Sequence, residues 1–318
     1  MAADLRKIRE FFTAPLCPPV ILQISSAYLS GIHIDLKESR VKSHSVLGLP
    51  AGVLEPHFDR KNIKDSAALS AVLKDCLREL QWAGKKIACL VPEPCLRLFV
   101  MSFDSLPAAE SEREKIILWR AKKLLAVLPE DVRLAYEAVP SGSSVKVVAA
   151  LARGPVVREF EDWLAGQGLE VGVIASPMIS LLNLLDWEKE KDLLLANIEE
   201  DSLGLVAITQ SEPVLYRLKT FSTGPDAGLR SSQKIEAVVK EIENTVHFIE
   251  DREKREIRSL YFRSGLRDGR EDILDRLRTR LRMEPQPIEA PSACGLSPEL
   301  GAFLAPLAGQ VPWRNRMT

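Results

Sequence analysis

The order of predicted elements occurs twice. Three strand-like runs, Val20–Ser25, Gly31–Leu36 and Val41–Leu47, precede a helical segment at Ala67–Trp82, which Gly84 is expected to end, and a continuous apolar run at Ile87–Val91. In the second half Leu193–Ile198, Gly204–Thr209 and Pro213–Phe221 again read as three strands. They precede a helical segment from Ser232 to about Asp251, a strand at Ser259–Phe262 and a helix at Asp268–Leu281. The two helical segments carry apolar residues near the 3.6-residue period: Leu69, Leu73, Cys76 and Leu80 in one, Ile235, Val238, Val239, Ile242, Val246 and Ile249 in the other. The β-strand runs are short and β-branched, bounded by polar breaks. A chain of 318 residues exceeds what one core usually serves, so each β-β-β-α-β half is expected to build its own.

Two such halves facing one another across a cleft describe the actin, Hsp70 and sugar-kinase architecture. The expected fold class is α/β, an actin-like (ribonuclease H-like) duplicated two-lobed fold. Between the halves, residues 96–170 read as an inserted α/β subdomain: a strand at Leu96–Phe103, a helix from about Ala109 to Leu128, strands Arg133–Ala138 and Val145–Ala152, a helix at about Pro155–Gly166 and a strand at Glu170–Ile174. Ser176-Pro177 opens a further helix through Trp187, with proline in its first turn. The expected organisation is an N-terminal helix or tail over 1–19, a first lobe over 20–190 with the insertion at about 96–170, and a second lobe over 191–318.

Composition excludes several classes. The 43 basic and 44 acidic residues nearly cancel, which argues against nucleic acid as a partner. Five cysteines in no zinc spacing and without a CxxC read as small core residues in a reducing compartment. Four histidines, no two at helical ligand spacing, offer no metal site. The most apolar stretch, Ile87–Met101, is interrupted by Pro92, Glu93 and Pro94 and is too short for a membrane span. Residues 2–12 place Leu5, Ile8, Phe11 and Phe12 on one side of a short helix, and a helix packed on the body is the expectation there rather than a membrane anchor.

Several blocks resemble the PilM family of type IV pilus assembly proteins and, more distantly, the cytoplasmic part of type II secretion GspL proteins. They are Ser102-Phe-Asp-Ser-Leu-Pro107, an acidic helix start at Glu110–Glu114, and Ile117-Leu118-Trp119-Arg120-Ala121, where Arg120 replaces the family's usual glutamate. Pro129 then precedes an extended Val132–Val139. Val147–Ala152 with Val156–Leu169, and Ile242–Phe248 with Leu260–Gly265, match two further units. Order and spacing over roughly 20–310 carry the resemblance, not one specific motif.

The resemblance implies an ATP and Mg²⁺ site in the cleft, built from two glycine-rich hairpins and a third turn. Family members read D-I-G-S-S at the first hairpin; this chain reads Gln23-Ile24-Ser25-Ser26-Ala27. They read D-I-G-A at the second; this chain reads Asn197-Ile198-Glu199-Glu200-Asp201-Ser202. Gln23 is a poorer Mg²⁺ ligand than a carboxylate, and Ser25 adds a Cβ where backbone must approach phosphate. Three carboxylates in the second hairpin would crowd a triphosphate, at a cost of about 4 kcal/mol for each like-charge pair at van der Waals range in a partly screened site. If a nucleotide were retained, Ser25, Ser26, Ser202, Gly204, Ser264 and Gly265 would hold it; ordinary turn chemistry explains the same residues. The expectation is therefore a degenerate actin-like ATPase with no catalytic residues, no metal and no cofactor.

No Walker A, GxSxG, HExxH or post-strand GxGxxG supplies other chemistry. Glu110, Glu112 and Glu114 with Lys115, Lys122 and Lys123 read as a solvated helix face that complements the dipole. Trp82, Trp119 and Trp163 read as core, and Trp313 with Arg314 and Arg316 as a contact or a tail. The implied function is a cytoplasmic scaffold, peripheral at the inner membrane. It would bind the tail of a PilN-like membrane protein in a groove between the first lobe and the insertion. Leu98, Val100, Trp119 and Leu124 are the candidate contacts, with partial strand addition; filling the insertion's own core is the other reading of all four. Self-association stays open, as does the alternative of a nucleotide-binding ATPase that gates lobe closure.

Overall fold

The computed structural model describes residues 17–125, 129–221, 231–290 and 300–311, Lys37 and Ser39 excepted. The expected elements at 2–12, and Trp313, Arg314 and Arg316, lie outside these residues.

The first lobe is a five-stranded sheet. β1 (Val20–Ile24), β2 (Tyr28–Asp35) and β3 (Arg40–Gly48) form an antiparallel meander. β4 (Lys86–Leu90) lies parallel to β1 on its other side. All five residues of β1 are buried, as a central strand covered on both faces requires. Helix α1 (Ser66–Glu79) starts where the Asp65 carboxylate accepts from the Ala68 N–H, and buries Leu69, Leu73 and Cys76 on the sheet. Gly84 does not end this helix. The chain leaves it at Gln81, whose φ of 51° is left-handed.

After β4 the chain departs into a separate three-stranded antiparallel sheet. Its strands are β5 (Leu96–Phe103), β6 (Val132–Ser141) and β7 (Ser144–Arg153), in the order β5-β7-β6. Helix α2 (Glu110–Leu124) lies on one face, with Ile117 and Ala121 packed against Met101, Val147, Ala149 and Leu151. The next two elements were expected in this subdomain but belong to the first lobe. Helix α3 (Gly154–Gly166) drives Val156, Val157, Phe160 and Leu164 into the same core as α1. β8 (Glu170–Ala175) pairs in parallel with β4. The insertion is thus a loop of chain between β4 and α3 that leaves and returns beside itself, Leu96 pairing with Ala152.

The second lobe repeats the arrangement. Helix α4 (Pro177–Leu182) and the short α5 (Trp187–Glu190) lead into β9 (Leu193–Ile198), β10 (Ser202–Thr209) and β11 (Glu212–Thr220). α6 (Ser231–Glu253), β12 (Ser259–Ser264), α7 (Arg270–Leu281) and the two-residue β13 (Gln286–Pro287) follow. The sheet order β11-β10-β9-β12-β13 has the connectivity of β3-β2-β1-β4-β8.

Each sheet has one face under its own helices, α1 and α3 on the first and α6 and α7 on the second. The opposite faces are covered by exchange. α4 leaves the first lobe and places Met178 and Leu181 on Leu193, Leu195, Val206 and Ile208 of the second sheet. α8 (Gly301–Ala308) comes from the C-terminal half and packs Leu304 and Leu307 on Ile21, Ile32, Ala88 and Leu90 of the first sheet. The two exchanged helices touch, and the Asn183 amide donates to the Gly309 carbonyl at 3.2 Å. Cys76, Cys89 and Cys95 are buried in the first core; burial pushes the thiols of Cys76 and Cys89 up to about 12, so they act as small apolar side chains.

Candidate functional site

The two hairpin turns, after β1 and after β9, meet between the lobes. What lies between them is a polar network supplied by the chain itself. Arg263 on β12 is fully buried, and its guanidinium contacts the Glu199 carboxylate. Its second terminal nitrogen donates to the Tyr28 hydroxyl, and its Nε to the Ala302 carbonyl of α8 at 2.8 Å. Nη1 also donates to the Asn197 Oδ1 at 3.1 Å. From the first lobe, the Gln23 amide donates to Glu199 Oε1 at 3.1 Å, the Tyr28 hydroxyl to the same oxygen at 2.8 Å, and the Ser25 hydroxyl to Oε2 at 3.2 Å. The Tyr28 ring stands edge-on to Phe303, with centroids 5.1 Å apart.

The electrostatics follow from this geometry. Burial pulls the Arg263 pKa down, but the attraction of Glu199 and Tyr28 outweighs it and the group stands above the usual arginine value. Burial pushes the Tyr28 phenol up despite the opposing pull of Arg263. A fixed cation thus stays charged against Glu199, and the first-lobe hairpin grips the same carboxylate from the other side.

The structure places the expected nucleotide residues in several different environments. Ser25 and Gly265 flank the ion pair. A Cβ on Gly265 would fall 2.5 Å from Glu199 Oε2 and 2.9 Å from Arg263 Nη1, so that glycine makes room for the pair. Ser26 and Ser202 sit beside Asp201, whose carboxylate accepts from the Ser202 hydroxyl at 2.9 Å. Gly204 faces α4, where a Cβ would meet the Met178 methyl at 2.8 Å. The Ser264 hydroxyl accepts from the Leu266 N–H at 3.3 Å, within its own turn.

The three carboxylates of the second hairpin do not converge, contrary to the sequence expectation. Glu199 turns inward to Arg263. Glu200 turns out to Lys234, at 2.8 Å. Asp201 is buried near Ser26, and burial lifts its pKa to about 6 against the opposing hydrogen bond from Ser202. Dispersing them removes the repulsion that a shared direction would cause. These residues do not fit a nucleotide triphosphate with Mg²⁺. A guanidinium and its carboxylate fill the approach, and Gln23 offers its amide N–H toward protein.

A second clasp joins the lobes. Glu93, in a short 3-10 turn after β4, is buried and accepts from the Ser176 hydroxyl, from the Met178 N–H at 2.8 Å and from the Tyr216 hydroxyl of β11 at 2.9 Å. Burial raises its pKa, the three donors notwithstanding.

The four candidate contacts for a partner divide between two surfaces. Leu98 and Val100 of β5 pair with Ala150 and Val148, on the insertion-sheet face turned away from α2. Leu98 is buried there against α4, and Val100 is half-buried. Trp119 and Leu124 are on α2, across the sheet, each 56% exposed, so the expectation that Trp119 is core is corrected. On the Leu98 face a groove of about 320 Å³ opens between the insertion sheet, α4 and the β10–β11 hairpin. Its lining is mainly apolar, with Val139, Val148, Leu182 and Pro213, and with Glu137, Lys146 and Glu212 as its charged groups. β6, which provides Val139, is an edge strand of its sheet.

The sequence pattern could have flagged Arg263. It is a charged residue directly after the apolar run Leu260-Tyr-Phe, where the expected strand was cut one residue short of it. Tyr28, Glu93 and Tyr216 carried no local signal, because their partners are on the other lobe.

No family model matches the sequence, and no curated protein does. Among solved structures, the chain is similar to one described as the PilM–PilN type IV pilus biogenesis complex, at 20% identity over 92% of this chain and 97% of that one, with a TM-score of 0.74. A protein of actin-like ATPase fold from Bacteroides thetaiotaomicron matches at 9% identity over 94% and 97%, with a TM-score of 0.54. The ethanolamine utilization protein EutJ from Carboxydothermus hydrogenoformans matches at 11% identity over 98% and 97%, with a TM-score of 0.50. The chain has the actin-like ATPase fold.

Proposed function

We propose that this chain is a scaffold of a type IV pilus, or related type II secretion, inner-membrane assembly platform, and that it holds the cytoplasmic tail of a PilN-like membrane protein. The observation that carries the reading is the filled cleft. Where an actin-like ATPase needs open hairpins, Arg263 and Glu199 bind one another and both lobes bind them. No helix among the described residues is long and apolar enough to cross a membrane, so a cytoplasmic chain at the inner membrane would be recruited by its partner. The likeness to the PilM–PilN complex supports a partner of that kind.

The groove on the Leu98 face is the place for the tail. An extended peptide can add to the free edge of β6 and lay apolar side chains beside Val139 and Leu182. Trp119 and Leu124 take no part, because the sheet stands between them and the groove.

The test combines two titrations followed by thermal unfolding and calorimetry. A synthetic peptide of the partner's cytoplasmic tail should raise Tm by mass action. Val139→Asp should weaken the peptide by about tenfold or more, the loss expected when an apolar contact becomes a charge. Millimolar ATP with Mg²⁺ should leave Tm where it was. A nucleotide-dependent rise would replace the scaffold with nucleotide-gated lobe closure, and a peptide indifferent to Val139→Asp would place the tail elsewhere.

A further inference from the structure

The outer face of α2 has no role in that groove, and its composition is unusual for a solvated helix. Ile117 and Ala121 point inward. Trp119 is two residues from each, about 200° around the helix from both, and so stands at the outermost line. It is 56% exposed, as is Leu124 five residues on. Lys115, Lys122 and Lys123 are its i−4, i+3 and i+4 neighbours, with Arg120 beside it. The Lys123 ammonium lies 3.6 Å from the Trp119 ring centroid. From Lys115 to Leu125 the chain carries four bases and no acid, on a protein whose formal net charge is −1. Among the described residues none of these four bases forms an ion pair with a carboxylate.

We infer that this face of α2 docks on an anionic lipid surface. Charge complementarity argues for an anionic partner, since four unpaired bases cluster on a chain that is otherwise balanced. The indole argues for lipid among anionic partners. An exposed tryptophan ringed by lysines has an apolar body and polar flanks, the arrangement that favours the headgroup boundary. Nucleic acid would call for successive aromatic platforms along a basic track, and this face offers one ring. The inference goes beyond the scaffold reading and does not rest on it. The groove occupies the other face of the insertion sheet, so a lipid surface and a peptide could be bound together.

The experiment is co-sedimentation of the full chain with vesicles of phosphatidylcholine alone or with phosphatidylglycerol at half of the lipid, without any partner peptide. The chain should bind the anionic vesicles and be released by salt, since each base near the surface contributes about fivefold to partitioning. Trp119→Ala and Lys122→Gln/Lys123→Gln should each lower binding tenfold or more while leaving Tm within a few degrees of the wild type, because these side chains are at the surface and no acid is placed at the helix C-terminus. Brominated lipid should quench the wild type more than Trp119→Phe. Equal binding to neutral vesicles would overturn the inference, as would binding that survives both variants. So would binding lost only on deletion of residues 1–16, which would transfer it to the basic N-terminal segment. Capture of acidic polypeptide with no binding to anionic vesicles would replace lipid with a protein partner and overturn it too.

Discussion

Arg263 heads the fully buried side chains among the described residues, and Glu199, Asn197, Tyr28 and Ala302 stand in for its solvation. A buried pair of this kind contributes little net stability when complete, because desolvation offsets the attraction. Its importance shows when one member is removed. Arg263→Ala leaves Glu199 buried with only neutral donors, and Glu199→Ala leaves an uncompensated guanidinium. Either should cost about 3–5 kcal/mol in urea unfolding. Arg263→Met with Glu199→Gln should cost less than the sum of its own two single changes, because neither charge is then stranded. Strict additivity of the two losses would mean that the pair is not coupled. Asp201 gives a second residue-level outcome. Its carboxyl titrates near 6 in the folded protein and near 3.8 in the unfolded chain, so the folded state binds the proton more tightly. Its contribution is full below about pH 3.8 and is lost as pH rises through 6, a change of roughly 3 kcal/mol. Asp201→Asn should therefore exceed the wild type in stability by about that amount at pH 7.5, and the gap should close toward pH 4. Parallel stability curves for the two proteins would remove Asp201 from the account.

At the scale of elements, legibility in the sequence tracked whether a pattern was locally complete. β1 to β4 and β9 to β12 are short apolar runs with polar breaks, and α6 shows its buried stripe from Ile235 to Ile249, about four turns; each is readable without knowing its neighbours. α3 and β8 were legible as elements but not as members of the first lobe. Membership depends on β8 pairing with β4 across the whole insertion, and pairing leaves no mark in either strand. α8 was missed altogether. Its sequence, Gly-Ala-Phe-Leu-Ala-Pro-Leu-Ala, is small-residue rich with an internal proline and apolar on every side, because it is wedged between the first sheet and α4 and has no solvent stripe to reveal a period. The candidate site divides in the same way. The loss of the expected carboxylate at Gln23 and of glycine at Ser25 is plain in the sequence. That Glu199 turns inward while Glu200 turns outward is decided by Arg263 and Lys234, each on a different element. That the four candidate contacts do not share one surface was not legible, because a strand residue and a helix residue can share an apolar character and still lie on opposite sides of a sheet, as Val100 and Trp119 do.

For the whole molecule, the helix exchange decides how the lobes unfold. Two lobes joined by a cleft commonly behave as separate domains, and chains of this length often unfold in steps. Here neither sheet can bury both faces without the other half of the chain. Met178 and Leu181 from the first half, and Leu304 and Leu307 from the second, are fully buried on the opposite lobe. At about 1.5–3 kcal/mol for each large apolar side chain, these four contribute roughly 6–12 kcal/mol across the division. That is comparable to the entire stability of a typical domain, and the Arg263–Glu199 and Glu93–Tyr216 clasps cross the same boundary. Unfolding one lobe would strip the other of a covering helix and strand its buried charges, so the halves should melt together. In a Trp187→Phe/Trp313→Phe variant the remaining tryptophans, Trp82, Trp119 and Trp163, report on the first lobe and the insertion, whereas far-ultraviolet circular dichroism reports on both lobes. The two signals should give coincident urea transitions, and the calorimetric enthalpy should equal the van't Hoff value. Two separated transitions, with tryptophan emission following only one, would mean that the exchanged helices detach before the lobes unfold and that the clasps do not hold the cleft shut.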